Sequence, residues 1–204
     1  CPHAKEVRPA QAEAPSRIAG SVSSRRALHS APASGPNRRR RIPYMRILVL
    51  GGTQFVGRRI VEALVEAGHA VSIFTRGWSP DALPSTVERL RGDRDQANAG
   101  LTSLQGRRWD ACVDVSGYTP RQVRASAELL HAVVGRYVFI SAVMVYGDAT
   151  VRPVRETHAR VPAAGEHVTD VNGETYGPLK VACEDIVQEI FGDRCTLLRR
   201  QVIV

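Results

Sequence analysis

From Arg46 onward, short apolar runs alternate with longer stretches in which apolar residues return every three or four positions. Residues 46–50, Arg-Ile-Leu-Val-Leu, read as a strand buried on both faces. A glycine-rich turn follows, and then Ile60, Val61, Leu64 and Val65 mark one face of a helix over 56–67 that Gly68 closes. The same reading gives strands over 70–75, 87–91 and 111–115, with Pro80 and Pro84 punctuating the second connection. An amphipathic helix over 121–134 starts behind Pro120, and a fifth strand over 137–141 runs into a long irregular stretch. Residues 176–191 are helical, with Pro178 tolerated in the first turn, and 196–204 begin another strand. Alternation of this kind predicts an α/β fold: a doubly wound parallel sheet of the Rossmann type over 45–204.

The turn between the first strand and the first helix is Gly51-Gly52-Thr53-Gln54-Phe55-Val56-Gly57. Glycines there let backbone N–H groups approach an anion, and the helix N-terminus adds a favourable dipole. Strand, glycines and helix in register at the head of a βαβ series predict a pyrophosphate-binding loop. A second candidate centre is Tyr176 with Lys180, four apart and hence on one face of the last helix. An ammonium beside a phenol favours the phenolate, which suits proton exchange with a substrate hydroxyl. The chain has two lysines, Lys5 and Lys180, among 28 basic residues, so Lys180 is kept where arginine is used almost everywhere else.

Charge changes the picture at the N-terminus. The net charge is +8, but residues 1–44 carry nine basic side chains against Glu6 and Glu13, and the remaining residues are close to balanced. The body therefore does not point to nucleic acid. Six of the 12 prolines also lie in 1–44, without apolar periodicity, so this tail is expected to be disordered. It reads as sequence upstream of a natural start at Met45; a targeting segment or a phosphate-binding arm is the alternative. No run approaches the roughly 18 apolar residues of a spanning helix, so no membrane is expected. Four cysteines without paired spacing suit reduced thiols in a cytoplasmic setting.

Four segments together resemble the NAD-dependent epimerase/dehydratase family, the extended branch of the short-chain dehydrogenase/reductase superfamily. They are residues 45–77, residues 109–118 (Trp-Asp-Ala-Cys-Val-Asp-Val-Ser-Gly-Tyr), Val145-Tyr146-Gly147, and Tyr176-Gly177-Pro178-Leu179-Lys180. The resemblance implies a nicotinamide cofactor held by Gly51, Gly52, Thr53, Gln54, Phe55, Val56 and Gly57, although Gln54 stands where the family usually has a glycine. It also implies contact of Ser116 and Gly117 with the cofactor, Asp93 on the adenine amino group, and Tyr176 with Lys180 as the acid/base pair. The second strand ends Thr75-Arg76-Gly77 with no acid, so NADP is expected over NAD, with Arg76 on the 2′-phosphate. The superfamily's third catalytic member is a Ser or Thr three residues before the Val of Val-Tyr-Gly. That position is Ala142, and the neighbouring Ser141 is the candidate hydroxyl.

The resulting expectation is an oxidoreductase-type enzyme acting by hydride transfer on a sugar or nucleotide-sugar hydroxyl. The resemblance implies a homodimer through the 121–134 and 176–191 helices, and a substrate lobe that would lie beyond Val204. Ala142 and Gln54 keep a second reading open, that of a non-catalytic, nucleotide-binding scaffold, regulatory or RNA-associated. A third is an inactive fragment.

Overall fold

Strand β1 (Arg46–Leu50) lies at the centre of the sheet, and its alternation divides the core in two. Ile47 and Val49 face α1 (Phe55–Glu66) and pack with Val61, Val71, Ile73, Leu83 and Val87. Leu48 and Leu50 face the other way, into a larger cluster with Phe74, Tyr137, Phe139 and the apolar sides of α2 (Pro120–Leu130) and α3 (Tyr176–Phe191). A strand buried on both faces gains from apolar residues at every position, which is why Ile-Leu-Val-Leu has no polar interruption. The remaining strands are β2 (Ala70–Thr75), β3 (Glu88–Arg91), β4 (Trp109–Asp114), β5 (Val134–Ala142) and β6 (Cys195–Arg200). All pairings are parallel, in the order β3-β2-β1-β4-β5-β6. This is the doubly wound order with its switch point between β1 and β4, the place where such sheets bind ligands at their carboxyl ends.

The computed structural model describes residues 43–147 and 153–201. The expected disordered tail lies outside the described residues except for its last two, as do residues 202–204 of the last predicted strand. Among the described residues no helix is long and apolar enough to cross a membrane.

Two elements differ from the expectation. The helix expected over 121–134 stops at Leu130, and Val134 already opens β5. Val133 and Val134 fit the helical spacing, but the ladder takes them: Trp109 N donates to Val133 O at 2.9 Å, and Val134 pairs with Trp109. β-Branched residues favour that outcome. Between β3 and β4 an unexpected 3-10 segment spans Arg94–Leu104. Its buried residues Leu101 and Leu104 are three apart, the spacing that a 3-10 turn stacks on one side.

Candidate functional site

The glycine turn is shaped by its neighbours. Gly51 and Gly52 have φ of +98° and +100°, a backbone that side-chain-bearing residues rarely adopt. Gly57, in the first turn of α1, lies directly against the loop, where a Cβ would meet Gly52 Cα at 2.9 Å. Close packing between loop and helix brings the first-turn N–H groups of α1 to the mouth of a cavity of about 890 Å³ at the carboxyl ends of the strands. All seven residues from Gly51 to Gly57 line this cavity. Gln54 precedes α1 and donates through Nε2 to Ser79 Oγ at 3.3 Å, tying the loop to the segment after β2. Phe55 is 84% exposed and takes φ +43°, so the turn carries strain at a non-glycine position as well.

Arg76 lines the same cavity, its guanidinium 3.9 Å above the ring centroid of Trp78. Arg91 Nη1 donates to Thr75 Oγ1 at 2.6 Å, which brings a second guanidinium beside Gly77. Asp93 also lines the cavity, and its carboxylate accepts from Asp95 N at 3.1 Å, capping the 3-10 segment.

The floor is held by a charge that sequence reading left without a role. Asp114, at the end of β4, is fully buried and accepts from both Arg94 terminal nitrogens at 2.8 Å, from Tyr137 OH at 2.8 Å and from Ser116 N at 3.1 Å. Arg94 also donates to Ser126 Oγ at 2.7 Å on α2. Burial opposes ionisation of the carboxyl, but the Arg94 charge and these hydrogen bonds hold Asp114 below the usual carboxylate value. Ser116 Oγ donates to Leu50 O at 3.1 Å, so the strand ends of β1 and β4 are joined beneath the cavity. Ser116 lines the cavity; Gly117 is buried behind it, where a Cβ would meet Phe139 at 2.6 Å. An aspartate closing the apolar run Ala111-Cys112-Val113 was the signal for this pair, since a buried charge requires a partner.

At the other end the cavity wall includes Tyr118, Ile140, Val171 and Arg200. Tyr176 and Lys180 come together on α3 as the spacing predicts, the Lys180 Nζ 5.8 Å from the Tyr176 ring centroid. Neither residue is part of the cavity wall. Lys180 donates to Gly117 O and Ile140 O, both at 2.9 Å, and burial pulls its ammonium down to about 8. Burial pushes the half-buried Tyr176 phenol up, and the cation that opposes this is Arg200, which sequence reading missed. Ser141, the candidate third hydroxyl, is 1% exposed and absent from the cavity wall, and its Oγ is buried without a hydrogen-bond partner among the described residues. Ala142 is buried at 5% exposure.

Comparisons with known proteins agree with this architecture. The NAD dependent epimerase/dehydratase family matches over residues 47–196. The chain is 33% identical over 151 residues to 2′-dehydrokanamycin reductase of Streptomyces kanamyceticus, covering 73% of this chain and 39% of the reductase. It is 32% identical over 130 residues to the chloroplast stem-loop binding protein of 41 kDa b of Arabidopsis thaliana, covering 57% of this chain and 34% of that protein. A solved UDP-galactose 4-epimerase superposes with a TM-score of 0.61 at 24% identity, over 76% of this chain and 55% of the epimerase. The chain thus spans between a third and about half the length of these relatives.

Proposed function

The chain belongs to the NAD-dependent epimerase/dehydratase family, and we propose that its cavity holds a nicotinamide dinucleotide, NADP in preference to NAD, for hydride transfer at a sugar or nucleotide-sugar hydroxyl. The observation that carries this reading is the glycine loop, which runs from β1 into α1 at the switch point and opens on one cavity with Arg76 and Tyr118. The positive φ of Gly51 and Gly52 and the contact of Gly57 with Gly52 leave the close backbone cradle that a pyrophosphate needs. Bound there, the cofactor supplies or accepts the hydride.

This chain's residues do the rest. The N–H groups of the loop and of the first turn of α1 hold the phosphates, and Arg76 with Arg91 meets a 2′-phosphate. Asp93 accepts from the adenine amino group, and Ser116 with Gly117 lets the cofactor pass close to the strand ends. Tyr176 exchanges the proton with the substrate hydroxyl, while Lys180 fixes the Gly117 and Ile140 carbonyls and adds positive charge near the phenol. We further propose a homodimer through α2 and α3, and a cytoplasmic setting that suits the free thiols of Cys112, Cys183 and Cys195.

Calorimetric titration of the 204-residue chain with NADPH and with NADH tests the reading. NADPH is expected to bind roughly tenfold or more tightly, and Arg76→Ala to erase most of that difference, as loss of a charge-assisted contact of about 1.5–3 kcal/mol implies. Absence of binding by either cofactor overturns the reading; equal affinities overturn the choice of NADP.

A non-catalytic scaffold is the second reading. Two observations favour it: the missing hydroxyl at Ala142, and the relative named as a stem-loop binding protein. Turnover of a sugar-type substrate by the whole protein, abolished in Tyr176→Phe, would exclude it.

A further inference from the structure

Two consecutive arginines at the end of β6 have opposite fates. Arg199 is locked beneath α3, donating to Glu184 through Nε at 2.9 Å and Nη2 at 2.8 Å, and to Tyr146 OH at 2.7 Å. Successive strand residues point to opposite faces. Arg200 accordingly turns the other way, is exposed, and lines the cavity. Among the described residues no carboxylate pairs with it, whereas Arg199, Arg160, Arg124 and Arg94 all have acidic partners. A cation on a cavity wall without a counter-ion is available to a ligand.

The parallel register decides what that ligand atom is. β5 and β6 pair Ser141 with Arg199 and Ala142 with Arg200. Ser141 follows Arg199 toward Glu184, and Ala142, which has no hydrogen-bonding group, lies beside Arg200. Ala142 is the position at which the family resemblance expects a hydroxyl to bond the substrate oxygen. A guanidinium one strand away is longer by several bonds and needs no hydroxyl on β5 to reach the same space.

We infer that Arg200 takes the place of the hydroxyl missing at Ala142, donating to the reacting oxygen of the substrate beside Tyr176. This rests on the reading of Tyr176 as the proton-exchanging group and deepens it. A guanidinium is a full positive charge where a serine offers only a dipole, so the site favours an oxygen that becomes negative, as in a carbonyl reduced to an alcohol. Arg200 also acts on Tyr176 itself, since its charge favours the phenolate against the effect of burial. The two duties are coupled: an oxyanion taken by Arg200 lessens the help it gives to the phenolate.

That coupling makes the inference testable without cofactor or substrate. Phenolate absorbance is followed against pH, and the Tyr176 component is isolated as the difference from Tyr176→Phe, among the five tyrosines of the chain. In Arg200→Gln the Tyr176 midpoint is expected to rise by about half to one pH unit, and in Arg200→Lys by less. Acetate, as the oxyanion probe at constant ionic strength, is expected to raise the Tyr176 midpoint in the wild-type chain and to have no effect in Arg200→Gln. An unchanged midpoint in Arg200→Gln and Arg200→Lys overturns the contact with Tyr176. A wild-type midpoint that ignores acetate overturns the oxygen-binding role, and this arm needs no Arg200 variant to fold. Failure of the wild-type chain to bind NADPH or NADH in calorimetry would overturn the proposed function instead, so the two failures are distinguishable.

Discussion

Lys180 sits between two carbonyl oxygens in a buried place, and its ammonium is pulled down from 10.5 to about 8 by desolvation, which the charge of Asp114 partly offsets. The sign of its effect on stability follows. Below about pH 8 the ammonium is protonated in both states and its desolvation counts fully against folding; as pH rises from there toward the unfolded value, the folded chain releases its proton first and the penalty is relieved. Relative to Lys180→Met, the wild-type chain is therefore expected to gain stability between about pH 8 and about pH 10.5 in urea unfolding. Reductive methylation with a carbon-13 label gives the direct check: the resonance lost in Lys180→Met should titrate at about 8. At this scale the pairing of Tyr176 with Lys180 was legible, because helical spacing of four fixes a shared face. The cation that acts on the phenol was not, because Arg200 reaches Tyr176 through the alignment of β5 with β6. Strand register across a long connection leaves no trace in local spacing.

Strand β4, held in the sheet by β1 and β5, ends in one buried ion pair. Asp114 and Arg94 are 0% and 7% exposed, so removal of either leaves the other charge without solvent or counter-ion. Asp114→Asn is expected to cost about 3–5 kcal/mol in urea unfolding, and the double replacement Arg94→Met with Asp114→Leu distinctly less, since a buried pair is costly to break and cheap to replace whole. Because Asp114 also accepts from Ser116 N, the single variant should weaken NADPH binding more than its loss of stability alone would, which calorimetry on the folded fraction measures. The strands, α1 and α3 were readable from periodicity, and so was the glycine turn from its context. The 3-10 segment bearing Arg94 was not: its two buried leucines are too few for a periodic signal, and Arg94 finds Asp114 twenty residues away only once β1 and β4 are paired. The same competition between ladder and helix moved Val133 and Val134 out of α2.

On the scale of the whole chain, charge and fold are separated along the sequence. Residues 1–44 carry nine basic and two acidic groups, whereas from Met45 on nineteen basic groups face eighteen acidic ones. Many of the latter are neutralised locally, as in Arg89 with Asp81, Arg124 with Glu189 and Arg160 with Asp185. A polyanion binds through counterion release in proportion to the cations it meets, and a balanced, internally paired surface offers few. Any affinity of the 204-residue chain for single-stranded RNA should therefore reside in residues 1–44 and show a steep salt dependence. A version beginning at Met45 is expected to lose at least about tenfold in RNA affinity, with a flatter salt slope, in fluorescence anisotropy. Retained affinity and an unchanged slope in the shorter version would assign RNA binding to the folded body. It would then have to use the cavity rim, where Phe55, Trp78 and Tyr118 are exposed beside Arg76 and Arg200, and NADPH should compete with the RNA for it. Without such competition, the cavity is left to the dinucleotide.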